Sequence, residues 1–304
     1  MADNPENIVI SQENRAQLQY LLGINRILDR LATIADVYIP AAIQHQKVFP
    51  KYKGCHKGEK IVIVGGGPSA NFFTPFSDAI YIAQNYQIYR DDIKWKYFFS
   101  GDWAGGKEKK LFDFVYENRK DVVKFYDYNC IFFCGDNIVP EYYREQDNVE
   151  SFFHDLYNYT LRGWDQITRD GISELEYDYK FFANPRLDLA PIHNFGTMFH
   201  TAFQFALWTH PKEIYLVGAD CSNVGHAKGI GYEDIDKEQP QDLIYSWYIP
   251  AWKKLAEFAR TYYPDIDVIS INPVGLRGVF KDAYTQLYLD SIQQEQSQNE
   301  EEKA

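Results

Sequence analysis

The sequence predicts an α/β protein: a mostly parallel sheet with helices on both faces, preceded by an N-terminal helical extension. Three observations carry this. From Lys60 onward, short β-branched and aromatic runs alternate with helical stretches, the pattern of a parallel sheet wound with crossover helices. The chain has 304 residues, 45% apolar and 24% charged, enough for one large domain with embellishments and too rich in core formers for disorder. Turn formers recur directly after the predicted strands, where open α/β sheets hold ligands.

The elements follow in order. Ser11 is placed to cap a helix whose apolar residues Leu18, Leu21, Leu22, Leu28 and Leu31 recur at spacings of three, four and seven. Residues 1–55 are therefore expected to form a helical extension whose apolar face packs on the main domain or pairs with a second copy. Within a main domain over 56–288, strands are predicted near 61–64, 79–82, 97–99, 122–125, 131–133, 214–217 and 267–271. Helices are predicted at 107–118, 197–209 and 250–263. The polar, aromatic stretch 140–180 is expected as a helical insertion, and 289–304, ending in QQEQSQNEEEKA, as a solvated, disordered tail.

Composition excludes several classes of partner. With 31 basic against 43 acidic residues the net charge is -12, which repels an extended nucleic acid and an anionic bilayer. No apolar run reaches the roughly 18 residues of a membrane span, and MADNPENIVISQEN lacks the basic and apolar regions of a signal peptide. The expected location is the cytoplasm, at most peripheral to the inner membrane. Four cysteines make no disulfide scaffold. Cys130 and Cys134, if both lie on one strand, are roughly 13 Å apart, too far to bridge.

The candidate site lies at the strand ends. The first strand runs into Gly65-Gly66-Gly67-Pro68-Ser69, the second into Gln84-Asn85 and the third into Ser100-Gly101-Asp102. The strand at 214–217 runs into Gly218-Ala219-Asp220, and the last into Asn272-Pro273. All are also ordinary turn residues. GGGPSA fits the dinucleotide pattern G-x-G-x-x-A, yet Pro68 removes an amide donor, and Gln84-Asn85 stand where a ribose-binding acid belongs. Gly196-Thr197 sit at the start of a helix, either as an anion site or as a simple cap. His200, one turn in, reads as a core histidine. His226, on a glycine-flanked loop after Asp220, is a candidate general base, since an imidazole titrates near neutrality.

Together IVIVGGGPSA, AIYIAQN, FFSGD, NFGTMFHTAFQFALWTHPKEIYLVGADCS, VGHAK and ISINPVG resemble, in this order, one superfamily. It contains the bacterial sialyltransferases that finish lipooligosaccharides, the motility accessory factor glycosyltransferases and the hydroxymethylpterin diphosphokinase-like family. The resemblance spans about residues 60–280, with 103–190 largely unmatched, and KEIYLVGAD is its most specific piece. It implies a Rossmann-like fold of the GT-A variant that uses a CMP-activated sugar without a metal cofactor. On that resemblance Gly65, Gly66, Gly67 and Ser69 hold the phosphate and ribose, and Asn85 the nucleotide. Gly196 and Thr197 meet the sugar carboxylate or phosphate region. Asp102 and Asn272, from two further strand ends, complete the nucleotide set; Asp220 orients the site, and His226 deprotonates the acceptor.

The expected activity is thus transfer of a sugar from a nucleotide donor to a glycan hydroxyl in bacterial surface polysaccharide synthesis. One alternative is a diphosphokinase-like phosphoryl transfer with Mg²⁺ held by Asp102 and Asp220. A metal-dependent variant would use Asp234-Ile235-Asp236. A non-catalytic scaffold assembling through the N-terminal helix is a third reading.

Overall fold

The computed structural model describes residues 39–101, 108–128, 140–152, 183–193, 197–222, 225–227 and 248–301, with single positions between 21 and 36 and at 245. Eight parallel strands form one sheet. They are β1 (Lys60–Val64), β2 (Ala79–Gln84), β3 (Trp95–Ser100), β4 (Val123–Asp127), β5 (Val149–Phe152), β6 (Glu213–Val217), β7 (Asp267–Ile271) and β8 (Lys281–Ala283). Their spatial order is β5-β4-β3-β2-β1-β6-β7-β8, so the winding reverses between β1 and β6. The described α-helices are α1 (Ile39–Val48), α2 (Lys109–Asn118), α3 (Glu141–Arg144), α4 (Met198–Trp208), α5 (Ile249–Tyr262) and α6 (Gln286–Glu301).

Strand alternation divides the core. In β1, Ile61 and Ile63 face one layer with α1, α4 and α5, while Val62 and Val64 face the other with α2 and Tyr143 of α3. Covering both faces is what lets these strands run almost continuously apolar. At the centre of the first layer is α4, MFHTAFQFALW, buried at every position from Phe199 to Trp208. Such a helix owes its stability to packing, since it has no solvent face. Aromatic rings fill this layer: Phe99 stacks on Phe125 at 4.6 Å, and Phe205 lies 4.8 Å from Phe125.

The end of the N-terminal extension packs on the domain. In α1, Ala41, His45 and Val48 are buried, His45 Nε2 contacts the Leu187 carbonyl oxygen at 2.6 Å, and the Trp208 indole N–H donates to the Phe49 carbonyl. Leu21 and Leu28, from the expected apolar stripe, are exposed. Ser11, Leu18, Leu22 and Leu31 lie outside the described residues.

Three expectations differ from the structure. The strands β5 and β8 were not predicted, because both are short edge strands with half their residues or more polar, which mutes the pattern. Part of the expected 140–180 insertion is therefore integral to the sheet, through α3 and β5; residues 153–182 and the expected strand at 131–133 lie outside the described residues. Of the segment expected as a disordered tail, residues 289–301 continue α6, whose Phe72–Tyr288 ring contact at 5.6 Å anchors its first turns, and 302–304 lie outside the described residues. Gln and Glu are good helix formers, which favours continuing the helix from those first turns.

Candidate active site

The register aligns the carboxyl ends of the strands in one row. Val64 pairs with both Ala83 and Val217, and Val217 with Ile271. Gly65, Gly218 and Asn272 therefore stand side by side, with the winding reversal between Gly65 and Gly218, where open α/β sheets offer their ligand crevice.

Main-chain bonds stitch this point together. The Gly65 N–H donates to the Val217 carbonyl at 2.8 Å, and the Gly67 N–H to the Gly218 carbonyl at 2.9 Å. These glycines are required by space. A Cβ on Gly65 would overlap the Phe199 ring at the start of α4, and one on Gly67 would stand 2.5 Å from the Asp220 carboxyl carbon. The amides of Gly65 and Gly67 are thus both spent inside the fold. Pro68 has no N–H, which leaves Gly66 as the turn's amide without a bond among the described residues.

Asp220 completes the junction. It is 5% exposed and accepts from the Ser69 N–H at 2.9 Å and from the Ser69 hydroxyl. Burial pushes its carboxyl above the ordinary range, and the two Ser69 bonds pull it back. Ser69 thus has its hydroxyl proton on Asp220, not on a ligand, and keeps only acceptor lone pairs for one. The Gly66 carbonyl accepts from the Ala227 N–H at 2.8 Å. That bond lays the Gly225-His226-Ala227 segment on the glycine turn, with Gly225 in the left-handed region at φ 63° and His226 half-buried.

On the other side of β1, Asn85 follows β2 in the left-handed region, φ 46°, and is half-buried. Beside it the structure exposes a signal that strand-end reasoning had named only as turn formers. Gln84 and Ser100, the last residues of β2 and β3, are 6% and 1% exposed, and the Gln84 Nε2 and Ser100 Oγ have no hydrogen-bond partner among the described residues. Buried polar atoms of this kind usually have a partner, so two at adjacent strand ends suit a bound polar ligand. Asp127, fully buried at the end of β4, belongs to the same row and was missed because the predicted strand stopped at 125.

The remaining candidates separate. The Thr197 hydroxyl caps α4 by accepting from the Phe199 N–H at 2.9 Å. His200 is fully buried, 4.7 Å from the Trp252 ring, a core position. Asn272, expected in the nucleotide set, is bonded within the fold. It is fully buried, its amide donates to the Thr285 hydroxyl at 3.0 Å, and its Oδ1 accepts from the Thr285 N–H at 2.8 Å. It clamps the turn into α6. Asp102, Gly196, Asp234 and Asp236 lie outside the described residues. Among the described residues no three His, Cys, Asp or Glu side chains are grouped to hold a metal ion, and no helix is long and apolar enough to cross a membrane.

No protein-family model and no curated protein sequence matches this chain. Solved structures are similar to it. One is the sialyltransferase CstII from Campylobacter jejuni in complex with the substrate analogue CMP-3FNeuAc: 15% identity, TM-score 0.40, covering 76% of this chain and 88% of that one. Another is a variant of the sialyltransferase Cst-II in complex with CMP: 17% identity, TM-score 0.39, covering 70% and 80%.

Proposed function

We propose that this chain is a glycosyltransferase that moves a sugar from a CMP-linked donor to the hydroxyl of a glycan acceptor, in bacterial surface polysaccharide synthesis and without a metal. The observation that supports it is the Ala227 N–H to Gly66 carbonyl bond, which sets the one loop histidine of the KEIYLVGAD…VGHAK pattern on the crevice at the winding reversal. In this reading His226 takes the proton of the acceptor hydroxyl, the freed oxygen pair attacks the anomeric carbon, and the bond to the CMP phosphate breaks with inversion. CMP leaves with the electron pair. Asp220 acts through Ser69, holding the glycine turn against β6. The nucleotide lies over Asn85, with the Gln84 amide and Ser100 hydroxyl supplying its polar partners.

Calorimetric titration of CMP with and without EDTA, and of ATP with Mg²⁺, tests the reading. The expected result is CMP binding that EDTA leaves unchanged. Binding of ATP only with Mg²⁺ would replace it with the phosphoryl-transfer alternative.

A further inference from the structure

Beyond the crevice, a groove runs between α5 and the segment that leads from β7 into β8. One part, about 330 Å³, is lined by Lys253, Glu257, Arg260 and Arg277. It shares Arg260, Gly278 and Val279 with a second part of about 520 Å³ that reaches Lys281. Both walls descend from the crevice edge. The segment after β7 is pinned there by the Gly275 N–H donating to the Asp220 carbonyl oxygen at 2.7 Å, and α5 begins there and runs back along the sheet.

The groove is basic on a chain whose net charge is -12. Lys253, Arg260, Arg277 and Lys281 are exposed, and none is ion-paired among the described residues. The acidic lining is smaller. Glu257 has Lys254 at 3.8 Å, and Asp267 stands at the far end. Two of the cations are preset: Arg277 Nε donates to the Pro273 carbonyl at 3.2 Å and Arg260 Nη1 to the Val279 carbonyl at 3.5 Å. Each bond uses one of five guanidinium N–H groups, leaving donors for a carboxylate or phosphate in the geometry arginine favours. The floor, Ala256, Ala259 and Val279, is apolar enough for the faces of sugar rings.

We infer that this groove binds an extended anionic glycan, whose successive carboxylate or phosphate groups meet Arg277, Arg260 and Lys281 as the chain leads away from the crevice. The inference rests on the glycosyltransferase reading, since the bound strand would be the acceptor. A groove admits a strand, whereas a bilayer or a duplex would meet the whole face of a chain whose net charge is -12.

The test uses the full chain, a fluorescent oligogalacturonate as the anionic glycan, dextran as its neutral counterpart, and vesicles rich in phosphatidylglycerol. The expected result is oligogalacturonate binding that weakens as salt is raised, no dextran binding, and a loss of about tenfold or more in the double variant Arg260→Gln, Arg277→Gln. The CMP affinity of that variant and its urea midpoint should match the parent's. Equal oligogalacturonate binding by parent and double variant, absence of binding by the parent, or binding to vesicles alone would each overturn the inference. CMP titration of the parent fails only with the glycosyltransferase reading, so the two failures are read separately.

Discussion

Removing the Asp220 carboxylate tests whether the junction between the glycine turn and β6 is held as described. Both partners are buried, Ser69 at 3% and Asp220 at 5% exposed, and Asp220 accepts two bonds from Ser69. Asp220→Ala leaves the Ser69 amide and hydroxyl without that acceptor. At about 1–3 kcal/mol for each buried donor left unpaired, partly relieved by rotation of the hydroxyl, the expected loss is about 2–4 kcal/mol. Asp220→Asn keeps an acceptor for the amide and offers its NH₂ to the Ser69 oxygen, so its loss at pH 7 should be smaller. The pH dependence has a definite sign. Burial raises the folded carboxyl above its unfolded value, so between the two the folded state holds more protons, and stability falls as pH rises through that window. Asp220→Asn lacks this contribution. The assay is urea unfolding of the parent and both variants between mildly acidic and neutral pH, comparing midpoints at matched slopes. An Asp220→Ala protein within about 0.5 kcal/mol of the parent would refute the reasoning, because that is the range of surface substitutions away from such features.

His226→Ala should lower turnover by roughly 10²–10⁴ while leaving CMP affinity near the parent's, measured by product formation and calorimetry; lost CMP binding in a folded variant would make His226 a donor contact instead. Asn85→Gly keeps the left-handed backbone at φ 46° and deletes the amide, so CMP binding should weaken by about 0.5–1.5 kcal/mol with an unchanged urea midpoint. Burial pushes His45 down to about 4, so in the folded state it stays neutral where the unfolded chain would protonate it. Its contribution is fully present above pH 6.5 and is lost as pH falls toward 4, by about 3 kcal/mol in total. The difference in unfolding free energy between the parent and His45→Gln should shrink over that range, and a constant difference would contradict the assignment.

Much of the frame was legible because its signals are local. The runs IVIV, AIYI and IYLV are β-branched and end in turn formers, and α4 carries its own cap in Thr197. The candidate row followed from topology alone, since parallel strands put their carboxyl ends on one edge. What sequence could not reach was which atoms at that edge are already engaged. Gly65 and Gly67 look like phosphate-binding glycines, yet their identity answers to the Phe199 ring and the Asp220 carboxyl, contacts made by residues 134 and 153 positions further along. Asn272 likewise reads as a strand-end ligand residue until Thr285, thirteen residues on, occupies its amide. Asp127 was hidden because a short strand's last residue is as readily assigned to the turn after it.

The stitching of the crevice rim has a thermodynamic consequence. The amides of Gly65, Gly67, Ala227, Asn272 and Gly275 are all held by main-chain carbonyls although most lie outside regular elements. Those groups should exchange their hydrogens slowly, like sheet amides and unlike ordinary loops. A ligand docking on that side meets a wall already in its final shape, so little ordering entropy is charged against its affinity there. Selectivity at this rim would therefore be steric and immediate, and any adaptation to different ligands falls to the side chains that face it.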